Sequence, residues 1–178
     1  MEIVYTHAYP TAWGTFFLAS TKRGLCNITF PGKGEDFRGW LQRQFGEGLV
    51  MEPDVSRHDE VGRQLREYLE GRRKEFDLPL HLIGTDFQKK VWRALRRIPY
   101  GDTWTYLEIA DRVGVGHAGC RAVGGAVGQN PIPIVIPCHR VIGKDGSLTG
   151  FGGGLELKER LLVLEGALET SEQEALNL

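Results

Sequence analysis

The chain has 178 residues, 41% of them hydrophobic and 25% charged, and a formal net charge of -1, a composition that fits a globular protein with one compact domain or two small ones. No apolar run is long enough to span a membrane, and Glu2, His7, Tyr9, Pro10 and Trp13 break up any secretory pattern in the first twenty residues. Cys26, Cys120 and Cys138 are too few and too scattered for a disulfide framework and form no CxxC pair, so the expectations are a cytoplasmic protein (nuclear if its cell has a nucleus), no membrane partner, no metal and structural roles for Cys26 and Cys120.

In chain order, Ile3 to Thr6 suits a strand. Thr15 to Ser20 and Leu25 to Phe30 are rich in β-branched and aromatic residues and flank the turn Thr21-Lys22-Arg23-Gly24, which predicts a hairpin. From Asp36 to Phe45, the residues Phe37, Trp40, Leu41 and Phe45 form an apolar helical stripe. Ser56 with Asp59 has the spacing of a cap ahead of a second helix carrying Val61, Leu65, Tyr68 and Leu69. Gly71 to Leu80 suits a connection in which Phe76 and Leu78 could add a short strand, and a domain boundary is expected near residues 78 to 84.

The pattern then becomes helical. Thr85 with Gln88 is a capping box before Phe87, Val91, Leu95 and Ile98, and Pro99 and Gly101 stop that helix. Thr105 with Glu108 repeats the device before Ile109, Ala110 and Val113. A glycine-rich turn leads to a second short helix around Ala118 to Val127. Such a pair is compatible with helix-turn-helix geometry, although structural packing accounts for it as readily when it stands alone. Gly152 to Gly154 match no phosphate-binding fingerprint and suit a flexible connection. The last helix is expected from about Leu155, with Leu157, Leu161, Leu162 and Leu164 as core candidates. Glu165 beside this face would need a buried partner, for which His139 is a candidate. The segment after Gly166 is acidic and expected to fray.

Two features carry chemistry. Between Gly84 and Ile142 the eight basic residues Lys89, Lys90, Arg93, Arg96, Arg97, Arg112, Arg121 and Arg140 outnumber the four acids Asp86, Asp102, Glu108 and Asp111, a local charge of 8 minus 4, or +4, which could attract phosphates. At the end of Ile134-Val135-Ile136, Pro137 precedes Cys138 and His139. A thiol becomes nucleophilic when a base or a positive charge stabilises its thiolate. Neighbours in a strand point to opposite faces, so the pair works together only if the chain turns. Taken alone, a Cys-His pair is more often a buried thiol beside a surface histidine.

The ordered set Gly84-Thr85-Asp86-Phe87-Gln88, Val91-Trp92, Ile98-Pro99-Tyr100-Gly101, Thr105-Tyr106, Arg121-Ala122-Val123-Gly124, Asn130-Pro131, Pro137-Cys138-His139-Arg140-Val141-Ile142-Gly143 and Lys158 to Glu165 resembles the O6-alkylguanine-DNA alkyltransferases, also called methylated-DNA-protein-cysteine methyltransferases. The motifs cover residues 84 to 166, about half of the chain, and the N-terminal part is less specific. The resemblance implies an α/β + α fold: an N-terminal ribonuclease H-like α/β domain (residues 1–80), a helical DNA-binding domain with a helix-turn-helix (81–170) and a flexible tail (171–178).

It also implies a single-turnover repair protein that moves an alkyl group, chiefly methyl, from O6-alkylguanine, with O4-alkylthymine as a second substrate, irreversibly onto Cys138. In this reading His139 takes the thiol proton through water, Glu165 orients His139 and Asn130 holds the active-site turn. Tyr106 donates to the flipped base, and Arg121 fills the space that the base leaves. Ala122 and Gly124 lie on the DNA-binding helix, and Val141, Phe151 and Gly152 line the substrate pocket. The implied partner is alkylated double-stranded DNA entered through the minor groove by a monomer, with no cofactor. Phe151 stands where relatives often have tyrosine, the turn Gly114-Val115-Gly116-His117 is one residue longer than in some relatives, and Cys26 lacks companions for the N-terminal zinc site that some possess. A lesion sensor without transfer, a cysteine hydrolase and a noncatalytic DNA-binding protein are the competing readings. The presence of Cys138 disfavours the first, no peptidase signature supports the second, and the run from Asn130 to Glu165 weighs against the third.

Overall fold

The computed structural model describes residues 2–170, so the expected tail at 171–178 lies outside the described residues. The chain divides into two units, one reaching Gly84 and including Pro131–Pro133, the other formed by Thr85–Asn130 and the segment from Ile134 onward. The division falls after Gly84, at the end of the stretch 78 to 84 where a boundary is expected. Leu80 bridges Leu25, the His81 amide donates to the Leu25 carbonyl at 2.8 Å, and the Thr21 hydroxyl meets His81 Nδ1 at 2.8 Å. Pro131, expected in the second domain, belongs to the first unit because its carbonyl accepts from the Ile28 amide at 3.0 Å.

The first unit contains strands β1 (Glu2–Thr11), β2 (Gly14–Thr21), β3 (Gly24–Thr29) and β4 (Leu49–Pro53), with helices α1 (Gly34–Phe45) and α2 (Asp59–Leu69). The sheet order is β3-β2-β1-β4. The predicted hairpin forms with Thr21 opposite Gly24, and a register shift lies between Ala19 and Ser20. Strand β1 runs well beyond the expected Thr6, since Tyr5 to Thr11 pair antiparallel with β2 while Glu2 to Thr6 pair parallel with β4. Parallel β4 is an addition that the hydropathy pattern does not announce. It is an edge strand whose Met51, Glu52 and Pro53 are exposed, so no alternation marks it. Phe76 and Leu78 form no strand.

The Ser56 and Asp59 cap does not form. Ser56–His58 is instead a 3-10 turn ahead of α2, and Asp54 Oδ1 accepts from the Ser56 hydroxyl and the Arg57 amide, at 2.9 and 3.0 Å. Val4, Ala19, Cys26, Phe37 and Leu41 make one core cluster. Burial pushes the Cys26 thiol up to about 12, so this cysteine serves as an apolar core residue.

The second unit holds α3 (Asp86–Leu95), the two-residue strand β5 (Trp104–Thr105), α4 (Tyr106–Val113), α5 (Cys120–Gly128), strand β6 (Val141–Ile142) and α6 (Leu155–Leu164). Both expected capping boxes form. Thr85 accepts from the Gln88 amide and Thr105 from the Glu108 amide, each at 3.2 Å, and the two N3 side chains bond back to the cap amides. Helix α3 packs on α4 and α5, and the Trp92 indole donates to the Ala126 carbonyl at 2.8 Å. Between α4 and α5, Gly114 takes φ 82° and Gly116 φ 57°, and a 3-10 turn at His117–Gly119 delivers the chain into α5. The long turn is thus partly helical and delays the start of α5 to Cys120. Among the described residues no helix is long and apolar enough to cross a membrane.

Gly24 ends the hairpin turn at φ 138°, and a Cβ there would sit 2.4 Å from the Pro79 carbonyl oxygen. Gly24→Ala is expected to lower stability by about 2 kcal/mol or more, through overpacking against backbone that cannot swing away. Equilibrium denaturation by urea checks this.

Candidate active site

Each candidate side chain for the chemistry comes from the second unit. Pro137 has φ -81° and ψ 65°, and the Cys138 amide donates to the Ile136 carbonyl at 2.8 Å, so Pro137 centres an inverse γ-turn. Cys138–Arg140 then form a 3-10 turn. The run before Pro137 is not a strand either: Ile134 sits in a turn with φ 73°, left-handed backbone that a β-branched residue rarely adopts. The Asn130 side chain donates to the Ile136 carbonyl at 2.7 Å, bracing this turn from the end of α5.

Because Cys138 and His139 occupy a turn, both side chains are directed inward. Cys138 is 7% exposed and His139 fully buried. His139 Nε2 lies 2.8 Å from Glu165 Oε1, the contact anticipated from sequence. Glu165 caps the C-terminus of α6 and has a second partner that sequence reasoning missed. Arg140 Nε donates to Oε2 and its terminal nitrogen to Oε1, both at 2.8 Å, while its other terminal nitrogen donates to the Ile98 carbonyl at 2.6 Å. The Ile98-Pro99-Tyr100-Gly101 segment encloses this centre. The Tyr100 hydroxyl donates to the Leu164 carbonyl, and Gly101, at φ 84°, brings its amide to 3.4 Å from Glu165 Oε2. Arg140 was counted among the phosphate-attracting residues; at 6% exposure and paired with Glu165 it cannot serve that purpose.

The electrostatics follow from these contacts. Burial works to raise the Glu165 carboxyl, but hydrogen bonds from His139 and Arg140 and the Arg140 charge outweigh it and hold the group at about 2. Burial lowers His139 below its ordinary value against the pull of Glu165, and the Arg140 charge adds to the lowering. The ring is therefore held neutral, with its Nε2 engaged by Glu165 and its Nδ1 on a buried edge. Burial pushes the Cys138 thiol up to about 11, opposed by the Asn130 hydrogen bond and the positive charge of Lys158. At rest it is a thiol.

Lys158 is the second residue that sequence reasoning missed. It lies three and four positions before Leu161 and Leu162 and shares their face. It is 1% exposed, and its ammonium donates to the Val141 carbonyl at 2.6 Å and the Thr149 carbonyl at 3.0 Å. Leu157 and Leu164, expected in the core, are only half-buried. Tyr106 opens α4 and is half-buried, its hydroxyl accepting from the Thr149 hydroxyl at 2.9 Å. Phe151 is half-buried, and Gly152 is exposed in the loop that precedes α6. Arg121 and Ala122 are exposed near the start of α5. Gly124 instead faces the Tyr106 ring, 3.9 Å from the position a Cβ would take. Among the described residues no group of three or more His, Cys, Asp or Glu side chains is placed to hold a metal.

A family model described as the ribonuclease-like domain of 6-O-methylguanine DNA methyltransferase matches residues 4–82, and one described as its DNA binding domain matches residues 86–167. The inducible methylated-DNA--protein-cysteine methyltransferase of Bacillus subtilis is 45% identical over 151 residues, 84% of this chain and 83% of its own length. The methylated-DNA--protein-cysteine methyltransferase of Methanosarcina barkeri is 58% identical over 152 residues, 85% of this chain and 90% of its own. The crystal structure of Mycobacterium tuberculosis OGT in complex with DNA aligns with a TM-score of 0.76 at 39% identity, covering 98% of this chain and 99% of that one.

The pH dependence of stability should expose the buried carboxylate. Its folded value of about 2 lies below the ordinary 4.5, so its contribution is complete above about 4.5 and drains as pH falls toward about 2. Glu165→Gln should flatten that acid limb and cost about 3 kcal/mol at pH 7, because Arg140 keeps a buried charge without its counterion. Denaturation midpoints of both proteins across this range test it. Equal slopes would show that Glu165 titrates normally.

Proposed function

The chain belongs to the 6-O-methylguanine DNA methyltransferase family and is a methyltransferase that repairs O6-alkylguanine in DNA through an active-site cysteine, acting once; we propose that Cys138 is that cysteine and that the network around it carries the chemistry. The observation behind this assignment is the buried Cys138-His139 turn, in which the histidine is kept neutral and is bonded to an ionised Glu165.

The reaction needs a sulfur nucleophile, a destination for its proton and a stabilised leaving group. His139 takes the Cys138 proton through an intervening water, Glu165 stabilises the imidazolium, and the Lys158 charge and Asn130 hydrogen bond favour the thiolate. Sulfur attacks the alkyl carbon in line with its bond to O6. The new sulfur-carbon bond forms as the carbon-oxygen bond breaks, the electron pair passes to guanine, and guanine takes up a proton by way of solvent as His139 gives up the one it took from Cys138. Tyr106 donates to the departing base, while backbone groups near Cys138, Val141 and Gly152 and the Phe151 ring shape its pocket. The product thioether has no hydrolytic exit, so each molecule reacts once without a cofactor.

The lesion must leave the duplex to reach a buried sulfur. Arg121 enters the stack in its place. The exposed face of α5 supports a minor-groove approach. Beyond Arg121 it carries Ala122, Gly125 and Gly128, none larger than a methyl, so the helix backbone can come close to a groove about 6 Å wide. A monomer suffices in this reading, because one chain supplies each assigned residue. The reduced thiol that the reaction consumes favours the cytoplasm, or the nucleus of a cell that has one.

Incubation with duplex DNA containing O6-methylguanine, followed by intact and peptide mass spectrometry, should show one added methyl group per protein on Cys138 and a restored guanine. Cys138→Ala should abolish transfer while retaining lesion binding. Binding without modification of the wild-type protein would support a sensor, and repeated product release would support a hydrolase.

A further inference from the structure

Helix α6 and the loop before it make a connection that the reaction scheme above leaves unused. The Thr149 hydroxyl donates to the Tyr106 hydroxyl at 2.9 Å, while the Thr149 carbonyl accepts from the Lys158 ammonium at 3.0 Å. The same ammonium holds the Val141 carbonyl at 2.6 Å. Lys158 therefore clamps both ends of the excursion between β6 and residue 149. Thr149 then passes that fixed position to the phenol.

A phenolic hydroxyl both accepts and donates, and its proton rotates to suit its partners. Either hydroxyl can donate across this contact; when Thr149 donates, a lone pair of Tyr106 is occupied and the phenol proton is left to point toward a bound base. Gly124 faces the phenol ring, 3.9 Å from the position a Cβ would take. The hydroxyl is thereby oriented before any substrate arrives, and pre-oriented donors act without reorganisation when charge develops. We propose that Thr149 is a positioning residue for the alkyl-transfer reaction: held by Lys158, it presets the Tyr106 hydroxyl as a donor toward the departing guanine. The proposal rests on the donor role assigned to Tyr106.

Thr149→Val preserves the shape and removes the hydroxyl, whereas Thr149→Ser preserves the hydroxyl. Single-turnover transfer from O6-methylguanine duplex to Cys138 should slow about three- to tenfold in Thr149→Val, the loss of one oriented hydrogen bond, and stay within about twofold of wild type in Thr149→Ser. In a Tyr106→Phe background the valine substitution should have no further effect. Affinity for the lesion duplex, measured with Cys138→Ser present, should change less than the rate does. A second reading requires no activity. In protein carrying isotope-labelled tyrosine, the Tyr106 Cζ resonance, assigned by its loss in Tyr106→Phe, should shift in Thr149→Val and not in Thr149→Ser. Slowing that persists without the Tyr106 hydroxyl, or an unmoved Tyr106 resonance, overturns the proposal. Absence of transfer in the wild type would overturn the assignment of Cys138 while the resonance still reports whether Thr149 holds the phenol.

Discussion

A carboxylate buried at 6% exposure is the constraint on which the site depends. Removing Glu165 from water would protonate it unless it were compensated, and a neutral acid there would neither polarise nor orient His139. Compensation by His139 alone would create a different problem. The histidine would be drawn toward imidazolium, and an imidazolium cannot accept the thiol proton. Arg140 resolves this conflict. Its fork supplies two hydrogen bonds and a permanent charge, so Glu165 ionises against arginine while His139 remains neutral. In the proposed reaction, the histidine still gains from the carboxylate at the moment it becomes charged.

The high value of Cys138, about 11, is consistent with a protein consumed by its reaction. An exposed thiolate would react with oxidants and stray electrophiles before reaching a lesion. A buried thiol does not. The groups that favour its ionisation, the Asn130 amide and the Lys158 ammonium, are in place and are held by backbone contacts of their own. Desolvation opposes them at rest. In the proposed reaction, the balance need only shift when an alkyl group adjoins sulfur and the proton can pass to His139.

Legibility from sequence tracks the range of each interaction. The capping boxes at Thr85 and Thr105 are complete within four residues and form as read. The hairpin turn is equally local. Strand β4 has no such signature, because its partner lies about 47 residues away in register and three of its five side chains are exposed. At Ser56 the local signal was real, but Asp54 takes up the Ser56 hydroxyl as a donor and organises the turn itself. Glu165 was recognisable as an acid in need of a partner. Arg140 and Lys158 were not, since a basic residue in a string of letters reads as surface charge. Only the fold reveals that the first meets a carboxylate and the second meets two carbonyls. Thr149 was invisible for the same reason: its partner is 43 positions away.

The Cys138-His139 pair shows how a turn supplies what adjacency denies. In a strand these neighbours would face opposite ways, and a base beside the nucleophile in sequence would be useless to it. Here the inverse γ-turn at Pro137 ends extended backbone, and the 3-10 turn rotates successive side chains by about 120°, enough for Cys138 to face Asn130 while His139 reaches Glu165. Forming that corner requires Ile134 to hold left-handed backbone, a cost of about 1–3 kcal/mol. The Asn130 bond to the Ile136 carbonyl and the burial of Ile134 and Ile136 offset it. Asn130 thus does two jobs with one amide: it secures the corner that aims the sulfur, and it lends the sulfur a hydrogen bond that favours the charged state. A substitution that preserved only the packing would keep the corner's shape and lose the chemistry, whereas the run of apolar residues before Pro137 matters chiefly because it makes the corner hard to unbend.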